Sequence, residues 1–545
     1  MGFRKIIGMA MTAVLITATP VSASNWVKAE SAHFTVFSDL NAKTAEAYLT
    51  KLEQYRYILS GFYGITKEDD ATTPKLRVYF VDTLADLRQT SPGIDENIAG
   101  YFKSCAEGQG AVALYKDDVI RETKDVKAQQ ENPSQAILFH EYAHDFMFQH
   151  GAGEAYPPWF VEGFAEFYST TKIQGDEAIV GMAFSWRVNS LGYQGASIHY
   201  DDLLRDTWRP KKPGLTRDYA ENAFYAESWL LTHWILSDPR RNAQFQTFID
   251  AYRKHEDPVV AFERTFGVKV KDLDHILETY FDHMKAQVYR IRDMPAPKVV
   301  TTTLPASAGK LLLWDAATRM CPAHNDRPDF LTKIRTEAAK YPDDAFAQDV
   351  LARAEIVIGD EWKALDYLKA RIAAHPDDAE AQYMLGQTWY LMTVHKHIVD
   401  GETADSQRQA ARAALGRSYQ LDPLYAPDLY YYSLALEVPG QAPSDNMISA
   451  AEEAQALAPS VDTYAVHAAS LLAARDRLSE AKIMLVPLAS NPHAPEESAW
   501  AANIIAIIDR GGTSQEVLAA LKTPVSKDPP ASSGKDAPPS ADKPK

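Results

Sequence analysis

Ala136-Ile137-Leu138-Phe139-His140-Glu141-Tyr142-Ala143-His144-Asp145 sets two histidines four residues apart with a glutamate beside the first, the H-E-x-x-H pattern. On an α-helix that separation is about 40° of rotation and roughly 6 Å of rise, so both imidazoles leave one face and can grip one metal ion. Glu141 sits about 100° round from His140, within reach of a water on that metal. The flanks predict the helix: Asn132-Pro133-Ser134-Gln135 reads as an N-cap, a proline at the first helical position and a capping-box partner, and Gly151 offers the stop. With 15 histidines in 545 residues, five matching positions do not decide the chemistry alone, because two histidines on an apolar helix also fit a packed core. A third ligand decides.

A catalytic metal site with two histidines needs one more protein ligand and an open position. His150 lies where the longer H-E-x-x-H-x-x-G-x-x-H pattern puts its third histidine, but Met147 stands in place of the glycine that would break the helix. On an unbroken helix His150 sits about 240° round from His144 and points away. The better candidate lies in Pro157-Pro158-Trp159-Phe160-Val161-Glu162-Gly163-Phe164-Ala165-Glu166-Phe167-Tyr168. Pro158 opens a second helix, and Glu162 and Glu166 share one face of it. Two carboxylates among apolar and aromatic neighbours are costly to bury unless something positive receives them. Glu162 is therefore the expected third ligand, and Glu166, one turn on, the hydrogen-bond acceptor that fixes the tautomer of a ligand histidine.

Taken together, His140-Glu141-Tyr142-Ala143-His144 and Trp159-Phe160-Val161-Glu162-Gly163-Phe164-Ala165-Glu166 resemble the gluzincin metallopeptidases, most closely the bacterial peptidase MA-like group with its W-x-x-E-G-x-A-E helix. The resemblance covers the chain from about Asn25 to Arg292. It implies an α+β zincin-like metallopeptidase domain, Zn2+ on His140, His144 and Glu162, Glu141 as general base, and hydrolysis of peptide bonds by a zinc-bound water. Zinc proteases of this plan offer a peptide substrate a sheet edge to pair with; residues 110–115 (Gly-Ala-Val-Ala-Leu-Tyr) read either as that edge or as an ordinary core strand. Phe224-Tyr225-Ala226-Glu227-Ser228-Trp229-Leu230-Leu231-Thr232-His233 resembles the helix on which the aminopeptidase N type carries an oxyanion-stabilising tyrosine. Tyr225 is its counterpart, Tyr219 the alternative, and an aromatic core helix accounts for the same residues. His233 reads as structural. No G-x-M-E-N segment is present, so recognition of a substrate's free N-terminus is not implied.

Outside the motifs, Arg4 and Lys5, an apolar run over 6–18 and the small residues Val21-Ser22-Ala23 predict a secretory signal peptide over residues 1–23. The expectation is an exported protein, periplasmic or secreted, with no integral membrane segment in the mature chain. A formal net charge of −17 without a basic cluster argues against nucleic acid as a partner. The two cysteines, Cys105 and Cys321, either pair in an oxidising compartment or stay as buried thiols. Residues 33–38, 76–81 and 110–115 carry strand signals, and 42–63 shows helical spacing.

From about Gly309 onward the chain turns Ala- and Leu-rich. Tyr341-Pro342-Asp343-Asp344-Ala345 and His375-Pro376-Asp377-Asp378-Ala379 repeat one phrase 34 residues apart, and Pro423, Pro459 and Pro492 follow at intervals of 47, 36 and 33. Gly386 falls where a tetratricopeptide repeat places a small residue between paired helices, and Ala352 stands at the counterpart position. The period resembles tetratricopeptide repeats, with roughly 13 extra residues around 394–406. Such pairs stack into a solenoid whose groove either binds a peptide or protein partner or buttresses the preceding domain.

The chain thus reads as a metallopeptidase domain over 24–300 (sheet part 24–130, helical part with the zinc site 131–300), an all-α tetratricopeptide-like solenoid over 310–522, and a disordered tail over 523–545. The expected function is an exported zinc-dependent metallopeptidase acting on peptides or proteins. The rival is an inactive peptidase-fold envelope scaffold that binds protein partners through its repeats. A purely structural zinc site fits less well, since such sites close with four protein ligands, mostly cysteine.

Overall fold

A computed structural model describes residues 26–65, 73–94, 100–114, 133–151, 155–182, 185–191, 198–209, 215–291, 294–491 and 494–523. Residues 1–23, where a signal peptide is expected, Asn132 and the residues beyond 523 lie outside them.

The strands are β1 (Val27–Glu30), β2 (Phe34–Ser38), β3 (Leu76–Val81), β4 (Gly100–Cys105), β5 (Gly108–Leu114), β6 (Lys172–Gln174), β7 (Glu177–Val180), β8 (Gln287–Arg290) and β9 (Val300–Thr303). Six of them build a mixed sheet in the order β4-β5-β3-β2-β1-β9, and β6, β7 and β8 form a small antiparallel sheet. In the larger sheet β2, β3 and β5 run parallel, while β4 pairs antiparallel with β5 and β1 with both β2 and β9.

Alternation along the central strands sends Phe34, Val36, Leu76, Val78, Phe80, Ala111 and Ala113 to one face, and Phe37, Tyr79, Val81 and Val112 to the other. The first face packs on helices α1 (Ala42–Tyr63) and α3 (Pro133–His150). The second is covered by α2 (Leu84–Thr90) and by the helix Ala308–Arg319, through Leu87, Ala308, Leu312, Leu313 and Ala316. Helices α4 (Pro158–Ser169), α5 (Ser185–Leu191), α6 (Tyr200–Leu204) and α7 (Leu215–Leu236) follow the motif helix. Asn41 caps α1 by accepting from the Thr44 amide, and Gly64, at φ 66°, ends it in the left-handed conformation that glycine adopts without a steric cost.

Of the two readings of the 110–115 segment, its described residues 110–114 take the core strand: β5 has a neighbour on either side, and the edge beside it is β4. Gly-Tyr-Phe-Lys-Ser-Cys escapes a strand reading because it holds no β-branched residue and all but Gly100 are only half-buried. One expectation needs correction: the boundaries at 300 and 310 cut through one packed unit. The sheet takes its last strand from β9, whose residues are all exposed and therefore carry no apolar alternation, and the first helix of the C-terminal region is the lid on the sheet's second face. Cys105, at the end of β4, is disulfide-bonded to Cys321 just past that helix, which settles the open alternatives for the two cysteines.

Beyond β9 the described residues contain helices and no strand. Six successive helix pairs are Ala308–Arg319 with Arg327–Ala338, Ala345–Ile358 with Leu365–Ala374, Ala379–Val394 with Ala404–Leu421, Ala426–Ala435 with Asp445–Leu457, Asp462–Ala473 with Leu478–Ala489, and Pro495–Asp509 with Ser514–Lys522. The repeated phrase is a helix start: Asp344 and Asp378 accept from the amides of Ala347 and Ala381. A Cβ on Gly386 would come within 2.5 Å of Leu415, so the small residue marks where the paired helices meet. No helix among the described residues is long and apolar enough to cross a membrane.

Candidate metal centre

Helix α3 runs unbroken through Met147 to His150, where the Gly151 amide closes it on the Met147 carbonyl at 2.8 Å. A side chain at Gly151 would lie 2.7 Å from that carbonyl, hence the glycine. The face opposite the motif histidines is anchored by α1. Tyr55 stacks on Phe139 with ring centroids 3.9 Å apart and donates to the Phe139 carbonyl, while the buried Arg56 donates to the Tyr142 hydroxyl at 3.0 Å. That anchoring turns His140 and His144 toward α4. His150 turns away from the pair, and its ring packs on Phe146 at 4.4 Å.

Helix α4 is buried from Trp159 to Ser169, and its glycine is a packing requirement. A Cβ at Gly163 would stand 2.1 Å from Thr232 Oγ1 and 2.3 Å from the Ser228 carbonyl, so α4 and α7 cross there with backbones in near contact. The crossing seats Glu162 and Glu166 against α3 and brings Tyr225 of α7 to the same place.

His140 Nε2 and His144 Nε2 lie 3.1 Å apart, and each is 3.4 Å from Glu162 Oε2. Ligands at 2.0–2.1 Å in a tetrahedral zinc site are about 3.3 Å from one another, so the three atoms have the spacing of three corners of that tetrahedron. Among the described residues they are the one group of three His, Cys, Asp or Glu side chains able to hold a metal ion, and all three are buried. On the far side of the imidazole, Glu166 Oε1 lies 3.4 Å from His140 Nδ1. Burial pushes the His140 imidazole down, but Glu162, Glu166 and Glu141 outweigh it and hold the ring above its ordinary value.

Arg187, on α5, is the member that sequence reasoning missed. Buried, it pairs with Glu166, and its guanidinium lies 4.6 Å from the ring centre of Tyr225. His140, Glu166, Arg187 and Tyr225 thus form a continuous chain, and the Tyr225 and His140 ring centres are 6.3 Å apart. A single arginine in Ser-Trp-Arg-Val-Asn has no spacing that ties it to either motif; only an unpaired look to Glu166 on an apolar helix hinted that a cation was needed. Tyr219's side chain lies outside the described residues. His233 is fully buried, with Nδ1 2.7 Å from the Tyr280 hydroxyl, and burial pushes it down to about 4, in keeping with a structural role. Asp145, the last residue of the motif stretch, is buried as well. Burial lifts its carboxyl to about 7 against the pull of Arg56, and Gln109 of β5 donates to it at 3.4 Å.

No protein-family model matches the chain, and no curated protein does. Among solved structures, the crystal structure of a thermophilic TPR protein from Thermus thermophilus matches at 20% identity and a TM-score of 0.30, over 36% of this chain and 97% of that one.

Proposed function

We propose that this chain is an exported zinc-dependent metallopeptidase of gluzincin type, with tetratricopeptide-like repeats behind its catalytic domain. The observation that carries the reading is the convergence of two imidazole nitrogens and one carboxylate oxygen at 3.1–3.4 Å, backed by Glu166 on the outer nitrogen of His140. Two imidazoles and a carboxylate at this spacing are a donor set that zinc accepts, with a fourth position left for water. Export is supported by the predicted signal peptide, and a disulfide agrees with an oxidising compartment.

His140, His144 and Glu162 would hold the zinc, which would supply a Lewis acid able to polarise a carbonyl and acidify water. Glu141, half-buried beside His140, takes the proton of the attacking water and returns it to the leaving amine. Glu166, 3.4 Å from His140 Nδ1, is placed to accept from it and so to favour the tautomer whose Nε2 binds metal. Arg187 balances Glu166 and braces the ring of the half-buried Tyr225, whose hydroxyl supports the oxyanion. An extended substrate would pair with the β4 edge.

The test is Glu141→Gln in the full chain. Peptide hydrolysis should fall about 10²–10⁴-fold with zinc still bound; a zinc-loaded variant with full activity would refute the mechanism. The scaffold reading, with a foreign protein in the repeat groove, is disfavoured by what the helix pairs already hold: the tip of the β4–β5 hairpin, bonded to Tyr383, Gln387, Tyr431 and Tyr464.

A further inference from the structure

The β4–β5 hairpin leaves the sheet and enters the C-terminal helices. At its tip, Glu107 accepts from the Tyr431 hydroxyl at 2.6 Å, Gln387 Nε2 at 2.7 Å and the Tyr383 hydroxyl at 3.3 Å, and the Ala106 carbonyl accepts from Tyr464 at 2.8 Å. These four donors come from the first helices of three successive pairs, Ala379–Val394, Ala426–Ala435 and Asp462–Ala473. Burial and the Glu107 carboxylate hold all three tyrosines well above their ordinary range, so they remain protonated donors.

Further bonds hold the flanks of the strand. Ser104 Oγ donates to the Ser460 carbonyl at 2.7 Å, Lys103 Nζ to the Cys321 carbonyl at 2.8 Å, and Cys105 is disulfide-bonded to Cys321. The line continues inward. Ser460 Oγ donates to Gln109 Oε1 at 3.0 Å, and Gln109 Nε2 donates to Asp145, the residue after His144.

An edge strand with one neighbour and mostly half-buried side chains opens more easily than the strands inside the sheet. We propose that the helix pairs take this chain's own β4–β5 hairpin as their ligand, and thereby hold β4 in place beside the metal-site helix, with Glu107 and Gln109 as positioning residues. The effect on catalysis rests on the peptidase reading; the holding of the strand does not.

Glu107→Ala and the milder Tyr431→Phe, each in the full chain, test this by amide hydrogen exchange, zinc analysis and kinetics on an unstructured peptide. Removing the bonds to the carboxylate should speed exchange over β4 about 10–100-fold in Glu107→Ala and less in Tyr431→Phe, with β2 and β3 unchanged. Zinc should stay bound, and KM should rise several-fold while kcat holds within about twofold. Unchanged protection of β4 in both variants, equal loosening of all strands, or faster β4 exchange with an unaltered KM would each overturn the proposal. A wild-type chain without zinc or activity would instead defeat the peptidase reading, and the exchange contrast would still decide whether the helices hold the strand.

Discussion

Two buried charge clusters in this chain are built on opposite plans. Among the C-terminal helices, Arg319 Nε meets Asp315 at 2.7 Å, Arg353 Nε meets the same carboxylate at 2.9 Å, and both guanidinium groups also reach Glu380. Two cations face two anions, so proton donors and acceptors satisfy each other where they stand. At the candidate metal centre the inner groups are two imidazoles, His140 and His144, and one carboxylate, Glu162, at 3.1–3.4 Å, and the arginine sits outside them on Glu166. Burial of charge is common to both; among the described residues, three His and Glu side chains at metal-ligand spacing belong to the second alone, and on that difference we propose it as a metal site.

The largest effect should come from breaking the balanced cluster. Arg353→Ala leaves the buried Asp315, and Glu380 beside it, with Arg319 as the one guanidinium of the cluster still in contact, and should cost about 3 kcal/mol in denaturant unfolding, with zinc content untouched. At the metal centre, Arg187→Met removes the partner of Glu166. Zinc affinity, measured by chelator competition, should weaken about 10–100-fold while the fold persists.

A smaller, pH-dependent effect is expected at Asp428, which is buried between helices and whose carboxyl is pushed up to about 8, mainly by burial, with Asp422 adding and Ser418 opposing. The folded value lies above the ordinary 3.8, so the unfolded chain gives up the proton first and stability is lost as pH climbs from about 4 to about 8. Asp428→Asn should therefore raise Tm at pH 8, by about 2–4 °C per kcal/mol relieved, and leave it unchanged at pH 4. The smallest effect is expected from His150→Ala, which should leave zinc affinity within about twofold of wild type because that ring packs on Phe146 instead of joining the cluster.

What could be read from the chain was governed by local spacing. The motif helix and its stop at Gly151, the shared face of Glu162 and Glu166, and the turning away of His150 all follow from the helical repeat. The starts of the helix pairs followed from a phrase whose aspartates are caps. What could not be read depends on distant partners. Arg187 finds Glu166 only through the tertiary packing around α4, and Gly163 is needed because α7 crosses there. β4 and β9 carry no apolar alternation because neither has a fully buried face, and the pairing of Cys105 with Cys321 depends on a helix that folds back over the sheet.

The central claim is that His140, His144 and Glu162 hold zinc, and metal analysis of the purified full chain tests it most directly. About one zinc per wild-type chain and almost none in a folded Glu162→Gln variant are expected. Metal-free wild-type protein after zinc has been offered, or a Glu162→Gln variant that keeps its zinc, would contradict it.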